Sequence, residues 1–563
     1  MQINRRTVLG GGAIFTGVSA SASATVTAKG GEKKHTKALS ALAGYVDQHR
    51  TDWGLPGMTV SVVDDSGFSG FVMSGLADID RNIAVGPDHL FQVGSITKMM
   101  TALAAWSLID EGKLSPDTRL SDLLPELSVR GGETITVKHL LDHTSGLPRG
   151  APIILDGGLW TGSEPGAHWA YCNLGYKLAG MIVAKADGRL FPEAVEARVL
   201  RPLGMNNSIG ALRAVDRNRY AQGYQPALLD RPAMRPGERR EAPWVDYDGA
   251  SGCVGATASD MALFLKFLIG VSKGKGGPVF SDEAAARFLA DPADAPGWAS
   301  DAKYGNGVAQ ITADDRAYLH HTGGMVSFSS SLHLDREAGV AAFASANVHY
   351  ATNYRPRDVT LHACQLLQAA QDNAPAPAPA PAPTRPIVNQ PARYNSTFTS
   401  QQGDRFDIIS DGDQLKLQRQ ETTTKMQMIG DEHFACEDEK FHITGLQFEF
   451  ENDKPIRAWA GGVEYLTDPA TGYMPPPEPE LRALEGRYDR DDRWALPIRI
   501  FARGDKLVMK NANYVSTLTQ LDNGDWRASE HEWWPDWVRF DGLINGKTER
   551  LLISGVPYLR RFS

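Results

Sequence analysis

Between Ala374 and Pro383 the chain alternates alanine and proline for ten residues. Proline fixes its own φ and lacks an N–H, so this stretch can enter neither a helix nor a sheet ladder. It takes an extended, semi-rigid form about 31 Å long. A chain of 563 residues interrupted in this way must build several separate cores. Residues 371–388 are therefore read as a linker, with one large domain at 35–370 and further domains beyond it.

The part beyond the linker repeats itself. Gly412-Asp-Gln-Leu-Lys-Leu returns as Gly504-Asp-Lys-Leu-Val-Met, an offset of 92, and Arg393-Tyr394 returns as Arg487-Tyr488, an offset of 94. Gly462-Val-Glu-Tyr-Leu returns as Gly555-Val-Pro-Tyr-Leu, an offset of 93. Three matches at nearly one spacing predict two copies of one module, at 389–468 and 480–563, with Pro469 to Pro479 between them. Strand-length runs divided by turn residues suggest that each copy is a small antiparallel barrel.

In the large domain, Met58-Thr-Val-Ser-Val-Val and Gly67-Phe-Ser-Gly-Phe-Val form a hairpin pattern. Further strand patterns follow Gly324 and begin at Ala338, while helical periodicity fills the middle. This is an α+β pattern of an antiparallel sheet with a helical half.

At the N-terminus, Arg5-Arg6 precede a mildly apolar stretch through Val18 and then alternating Ser and Ala. That order describes a twin-arginine export signal over residues 1–28, with cleavage near Ala24. The expected location is periplasmic or secreted. A formal charge of -9 with no basic stripe argues against a nucleic-acid partner. No apolar run of membrane-spanning length follows the N-terminus. The four cysteines, Cys172, Cys253, Cys364 and Cys436, show no metal-binding spacing, and neither metal nor cofactor is expected.

The chemistry concentrates in three places. Ser95 and Lys98 stand three residues apart where a short β-like run meets Gly94 and a long apolar helix begins, so both face one side of that helix. A serine hydroxyl needs a neighbouring base to attack at neutral pH. Tyr171-Cys172-Asn173 and His321-Thr322-Gly323 follow in order. S-x-x-K alone is weak, since Ser272-Lys-Gly-Lys275 matches it in a glycine-rich stretch and is read as a decoy. The three motifs together are specific.

They give the sequence its resemblance to the serine β-lactamase and penicillin-binding superfamily, on the class C, DD-peptidase and D-aminopeptidase side. The resemblance covers most of residues 40–365, with Ile135 to Pro148 and Thr257 to Leu265 in support. It implies a β-lactamase-like catalytic domain followed by two β-barrel domains. It implies that Ser95 is acylated, that Lys98 and Tyr171 share the proton work, and that Asn173 holds Lys98 and the substrate carbonyl. The N–H groups of Ser95 and Gly324 would form the oxyanion hole, beside Gly323. Which of Lys98 and Tyr171 is the base stays open.

His321 departs from the pattern. Members that grip a substrate carboxylate usually carry lysine there, whereas histidine is mostly neutral at pH 7. Carboxylate binding and β-lactam capture should be weaker. The His-x-Gly form resembles D-aminopeptidases and related esterases, in one of which a barrel loop reaches the catalytic pocket. Glu530-His-Glu-Trp-Trp-Pro-Asp536-Trp could be such a loop, with an acid for a substrate amine, but it is read first as an edge strand with surface aromatics. Cys172 is read as a small buried residue and His143 as a structural hydrogen-bonder. His320 should point to the opposite strand face from His321. Asp142-His143 mimics part of a Ser-His-Asp triad, but no G-x-S-x-G elbow accompanies it.

The leading expectation is an exported serine hydrolase that cleaves small amides or esters, D-amino-acid peptides first, through an acyl-enzyme on Ser95. Its partner is a small-molecule or peptide substrate. The rivals are an esterase or DD-carboxypeptidase-like cell-wall enzyme, and a non-catalytic binder of cell-wall fragments. Sequence gives no handle on oligomeric state.

Overall fold

The computed structural model describes residues 23–561 except Glu32, Asp156, Ala233, Arg235, Pro236, residues 381–387 and Asn513. Residues 1–22, which carry most of the expected export signal, and the end of the Ala-Pro stretch lie outside the described residues.

The large domain is built on one antiparallel sheet. Its main strands are β1 (Thr25–Lys29), β2 (Gly57–Asp64), β3 (Ser69–Asp78), β4 (Ala293–Asp294), β5 (Lys303–Gly305), β6 (Val308–Ala313), β7 (Arg316–Gly324), β8 (Ser329–Asp335) and β9 (Val340–Ala346), and the short strand Ile83–Ala84 pairs with β3. They lie in the order β1-β3-β2-β9-β8-β7-β6-β5-β4. Every residue of β2, β3, β8 and β9 is buried. The reason is that both faces of the sheet are covered. Helices α1 (Lys33–Asp52) and, at the far end of the domain, Arg357–Gln371 close one face through Leu39, Leu42, Val46, Leu366 and Leu367. The helical half closes the other. It includes α2 (Thr97–Asp110), α3 (Asn173–Asp187) and α4 (Ala258–Ser272). The hairpin expected from Met58 onward is the β2–β3 pair, with Val60 opposite Val72.

Helix α2 is buried without a break from Thr97 to Leu108. A helix apolar all round belongs in a core, and this one carries Lys98 into it. The second S-x-x-K match has no such setting. Ser272 caps the end of α4 by donating to the Ile269 carbonyl, and Lys275 pairs with Asp282 at the surface.

Beyond the linker the chain forms two closed antiparallel barrels of eight strands. The first runs from Ser396–Ser400 to Val463–Leu466 and the second from Gly486–Asp489 to Val556–Arg561. The repeated glycines Gly412 and Gly504 serve matching hairpins at φ 63° and 59°, a region that glycine enters without steric cost. The repeated tyrosines Tyr394 and Tyr488 are each core residues. None of the four cysteines is paired, and all are buried. Among the described residues no helix is long and apolar enough to cross a membrane, and no group of acidic, histidine or cysteine side chains could hold a metal ion.

Candidate active site

Ser95 sits in a single 3-10 turn, Gly94–Ile96, that leads into α2. Two things hold the turn. The strand before it pairs with Gly255–Ala256, and Val93 N–H donates to Val254 O at 3.1 Å. Gly94 at φ 57° then packs against β7 so closely that a Cβ there would lie 2.8 Å from Gly324 N. Glycine at this position brings the backbone of Ser95 beside that of Gly323 and Gly324. Gly323 is equally constrained, because a Cβ on it would stand 2.0 Å from Val93 O.

Lys98 is 0% exposed. Its Nζ lies 3.1 Å from Ser95 Oγ, 2.8 Å from Asn173 Oδ1 and 2.8 Å from Ser251 O. Two of these neighbours, the amide oxygen and the carbonyl, can only accept, while the serine hydroxyl can donate. An ammonium could donate to all three oxygens; a neutral amine gives one N–H to Asn173 and one to Ser251 and can meet the Ser95 hydroxyl with its lone pair. Burial drives the Lys98 ammonium well below the usual lysine range, with the Lys177 charge acting the same way. No carboxylate stands within hydrogen-bonding reach among the described residues to restore the charge.

Tyr171 lies beside this pair, its ring 4.8 Å from Lys98 Nζ. Burial pushes its phenol up, and its hydrogen bond to Ser95 and the Arg355 charge oppose that only in part. Tyr171 is therefore a proton donor at neutral pH, and Lys98 is the better acceptor of the two. Cys172 caps α3, its Sγ accepting from Gly175 N at 3.3 Å. Its thiol is raised to about 12 by burial, and so it stays protonated. Cys172 N–H donates to His143 Nδ1 at 3.0 Å, which pins the Tyr171–Asn173 turn. His143 Nε2 has no partner among the described residues and is shut in by the rings of Tyr171, Tyr176 and Tyr304. Asp142 bonds Lys138 and the Asn306 N–H rather than His143, so these two residues form no triad with Ser95.

His321 is also 0% exposed. Its Nδ1 lies 2.7 Å from Thr322 O, which can only accept, so Nδ1 carries the proton and Nε2 accepts from Tyr304 Oη at 2.9 Å. Burial holds it neutral, well below the usual histidine range. His320 points to the other face, where Nδ1 meets Leu332 O and the ring stacks on His333.

Arg355 is a site residue that sequence reasoning missed. Its guanidinium lies against Gly324, where a Cβ would stand 2.3 Å from Nη2. It donates to Tyr354 O and Ser329 Oγ, and burial beside Arg357 lowers it to about 10. It remains a cation next to the backbone proposed for the oxyanion hole. Ser251 was also missed, because it acts through a main-chain oxygen that no side-chain motif marks.

The second barrel closes over this site. Asp536 accepts from Arg149 N at 3.2 Å, Arg149 Nε at 3.1 Å and Ser554 Oγ at 2.8 Å. Trp160 Nε1 donates to Pro535 O at 2.8 Å, Trp533 stacks on His168, and Tyr350 donates to Trp494 O at 2.7 Å. Arg487 and Arg499 both reach Asp230. The segment from Glu530 to Asp536 is thus a loop docked on the catalytic domain, not the edge strand expected from sequence. In that docked loop Trp533 and Trp534 are half-buried and Pro535 is buried. Between the two domains lies a cavity of about 800 Å³, bounded by Tyr171, Asn173 and Arg149 on one side and by the end of the second barrel on the other.

The family model described as Beta-lactamase matches residues 42–367. The chain belongs to the beta-lactamase family of serine hydrolases. It is 31% identical over 206 residues to penicillin-binding protein 4 of Amycolatopsis lactamdurans, a match covering 34% of this chain and 54% of the relative. It is 31% identical over 207 residues to esterase EstB of Burkholderia gladioli, covering 31% of this chain and 52% of that protein. The chain thus spans about half the length of these relatives. Its fold is similar to that of D-amino acid amidase from Ochrobactrum anthropi SV3, with a TM-score of 0.50 and 23% identity, covering 60% of this chain and 98% of that one.

Proposed function

We propose that this chain cleaves small amides or esters through an acyl-enzyme on Ser95, with Lys98 as the base. The setting of Lys98 carries the reading: its Nζ lies 3.1 Å from Ser95 Oγ in a fully buried site without a carboxylate partner among the described residues, where burial favours the neutral amine that can take the serine proton. Ser95 Oγ attacks the carbonyl as its proton passes to Lys98. The oxyanion meets the N–H groups of Ser95 and Gly324 beside the Arg355 charge. One such donor is worth about 2.7–4 kcal/mol of transition-state stabilisation. Tyr171, protonated and bonded to Ser95, supplies the leaving group with its proton. Water then releases the acyl group by the reverse route.

Substrate choice belongs to the same proposal. His321 is neutral and buried, so no ring charge is available for a substrate carboxylate, and β-lactams should be poor substrates. D-amino-acid amides remain the expected peptide substrates, but their ammonium needs a free acid. Asp536, the buried acid of the docked loop, is held by Arg149 and Ser554. That favours neutral esters and amides, and the esterase relative points the same way. Export is proposed on the twin arginines together with the mildly apolar stretch and the Ser-Ala run that follow them.

The test uses purified protein with D-alanine and L-alanine p-nitroanilides, p-nitrophenyl acetate and a chromogenic cephalosporin. Turnover of the ester or of the D-amide, lost in Ser95→Ala, supports the reading. Absence of all turnover, with no labelling of Ser95 by a fluorophosphonate, would leave the non-catalytic binder standing. Cell fractionation of wild type and an Arg5→Lys, Arg6→Lys variant tests export.

A further inference from the structure

The two barrels are copies of one module, and they differ at the end that meets the site. In the first barrel Phe398, Phe406, Phe441 and Tyr465 are at most 1% exposed and plug one end. The Phe406 ring centre lies 5.2 Å from Phe398, 5.1 Å from Phe441 and 5.1 Å from Tyr465. Phe406 stands six residues before the hairpin glycine Gly412, and six residues before Gly504 stands Ile498. Tyr465 stands three residues after Gly462, and three residues after Gly555 stands Tyr558. In the second barrel the packed core is Tyr488, Trp526 and smaller side chains, and Tyr558 is only partly buried. The plug is gone. Ile498 and Tyr558 instead line the cavity that Tyr171 and Asn173 bound from the catalytic side.

We propose that the open end of the second barrel is a substrate subsite for an apolar group, an alkyl chain or an aromatic ring, carried by the amide or ester whose carbonyl is at Ser95. The proposal rests on the acyl-enzyme reading above and names the substrates that reading leaves open. Ile498, Met509, Val515, Val538, Ile553 and Val556 supply an aliphatic wall. The charges at the rim are matched, since Arg149 pairs with Asp536 and Arg490 with Asp492. A mostly apolar cleft of about 300–1,000 Å³ with a few placed polar groups is the usual form of a small-molecule site, and this one holds about 800 Å³. A barrel without that packed cluster, set against Tyr171 and Asn173, has exchanged core packing for space.

The apolar group can sit on the acyl side or the leaving-group side, and two substrate series separate these. One is p-nitrophenyl esters from acetyl to decanoyl; the other is acetate esters of ethyl to decyl alcohols. Both are run on the full-length chain, wild type, Ile498→Phe and Ala528→Phe. Phenylalanine is what the first barrel carries at the position matching Ile498, so that variant suits the module, and Ala528 lines the cavity independently. Transfer of a methylene from water predicts a rise in kcat/KM of about fourfold per added carbon in one series. Both variants should flatten that rise while p-nitrophenyl acetate turnover and Ser95 labelling stay at the wild-type level. Flat profiles in both series with Ser95 still labelled, or a rise that survives both variants, would overturn the subsite. Loss of all turnover and labelling in the wild type would overturn the acyl-enzyme reading and the subsite with it.

Discussion

Replacing Asp536 by alanine should loosen the second barrel from the catalytic domain while leaving both folded. The cost follows from three acceptances by one carboxylate that is 8% exposed. Ser554 is 1% exposed and belongs to the same barrel, so its stranded hydroxyl would cost the barrel itself, not the docking, about 1–3 kcal/mol. The Arg149 N–H loses its partner at about 1 kcal/mol. The Arg149 side chain is 49% exposed and regains water, so the ion pair itself adds at most about 1 kcal/mol. The two bonds that cross the interface sum to about 1–2 kcal/mol of docking, which raises the undocked population by about 5- to 30-fold. Hydrogen exchange is the assay. Peptides covering residues 149–162 and 530–536 should exchange faster together, while the strand Trp537–Ile544 keeps its protection. Asp536→Asn retains one acceptor oxygen and should fall between wild type and alanine. Unchanged exchange at both segments in the alanine variant would refute the loop as the clamp, leaving Asp230 and Trp494 to hold the barrel.

Four other outcomes follow from the same structure. Lys98→Met should lower kcat on p-nitrophenyl acetate by about 10²–10⁴-fold, the usual worth of a general base, and Lys98→Arg should be as inactive because a guanidinium stays charged; activity retained by Lys98→Arg would remove the base role. Lys98→Met should also lower the melting temperature, because Asn173 Oδ1 and Ser251 O lose their donor at about 1–3 kcal/mol each. Burial lowers His49 from 6.5 to about 4, so the unfolded chain binds the extra proton between these values; stability should fall as pH drops through that window, by about 3 kcal/mol from this residue, and His49→Gln should flatten that part of a denaturation-versus-pH curve. Cys172→Ser should keep Ser95 labelling and activity, since a hydroxyl can cap α3 in place of the thiol; loss of labelling would assign the thiol a chemical role.

Much of this was legible in the chain because it is local. The i, i+3 spacing of Ser95 and Lys98 sets their shared face, strand alternation separates His320 from His321, and the offset near 93 gives two barrels. The neutrality of His321 was also legible, although the structure adds its cause, complete burial. What could not be read is long-range or main-chain. Arg149 and Asp536 are 387 residues apart, and nothing in Trp-Trp-Pro-Asp tells a docked loop from an exposed one. Ser251 contributes a carbonyl, which every residue possesses. Arg355 gains meaning only from Gly324, whose missing side chain makes room for it. The lost plug of the second barrel was written in the sequence, as Ile498 against Phe406, but it becomes informative only once that end is seen to face Tyr171.

The central claim is that Lys98 is neutral and draws the proton from Ser95 in the free enzyme. The rate of Ser95 phosphonylation by a fluorophosphonate, followed by intact mass across pH 5 to 11, tests it without any choice of substrate. The expected profile rises on an acid limb and is already level well below the usual lysine value of about 10.4, and Lys98→Met removes the limb along with most of the rate. A rate that keeps climbing to about pH 10.4, or one indifferent to Lys98, would show an ordinary charged lysine and contradict it.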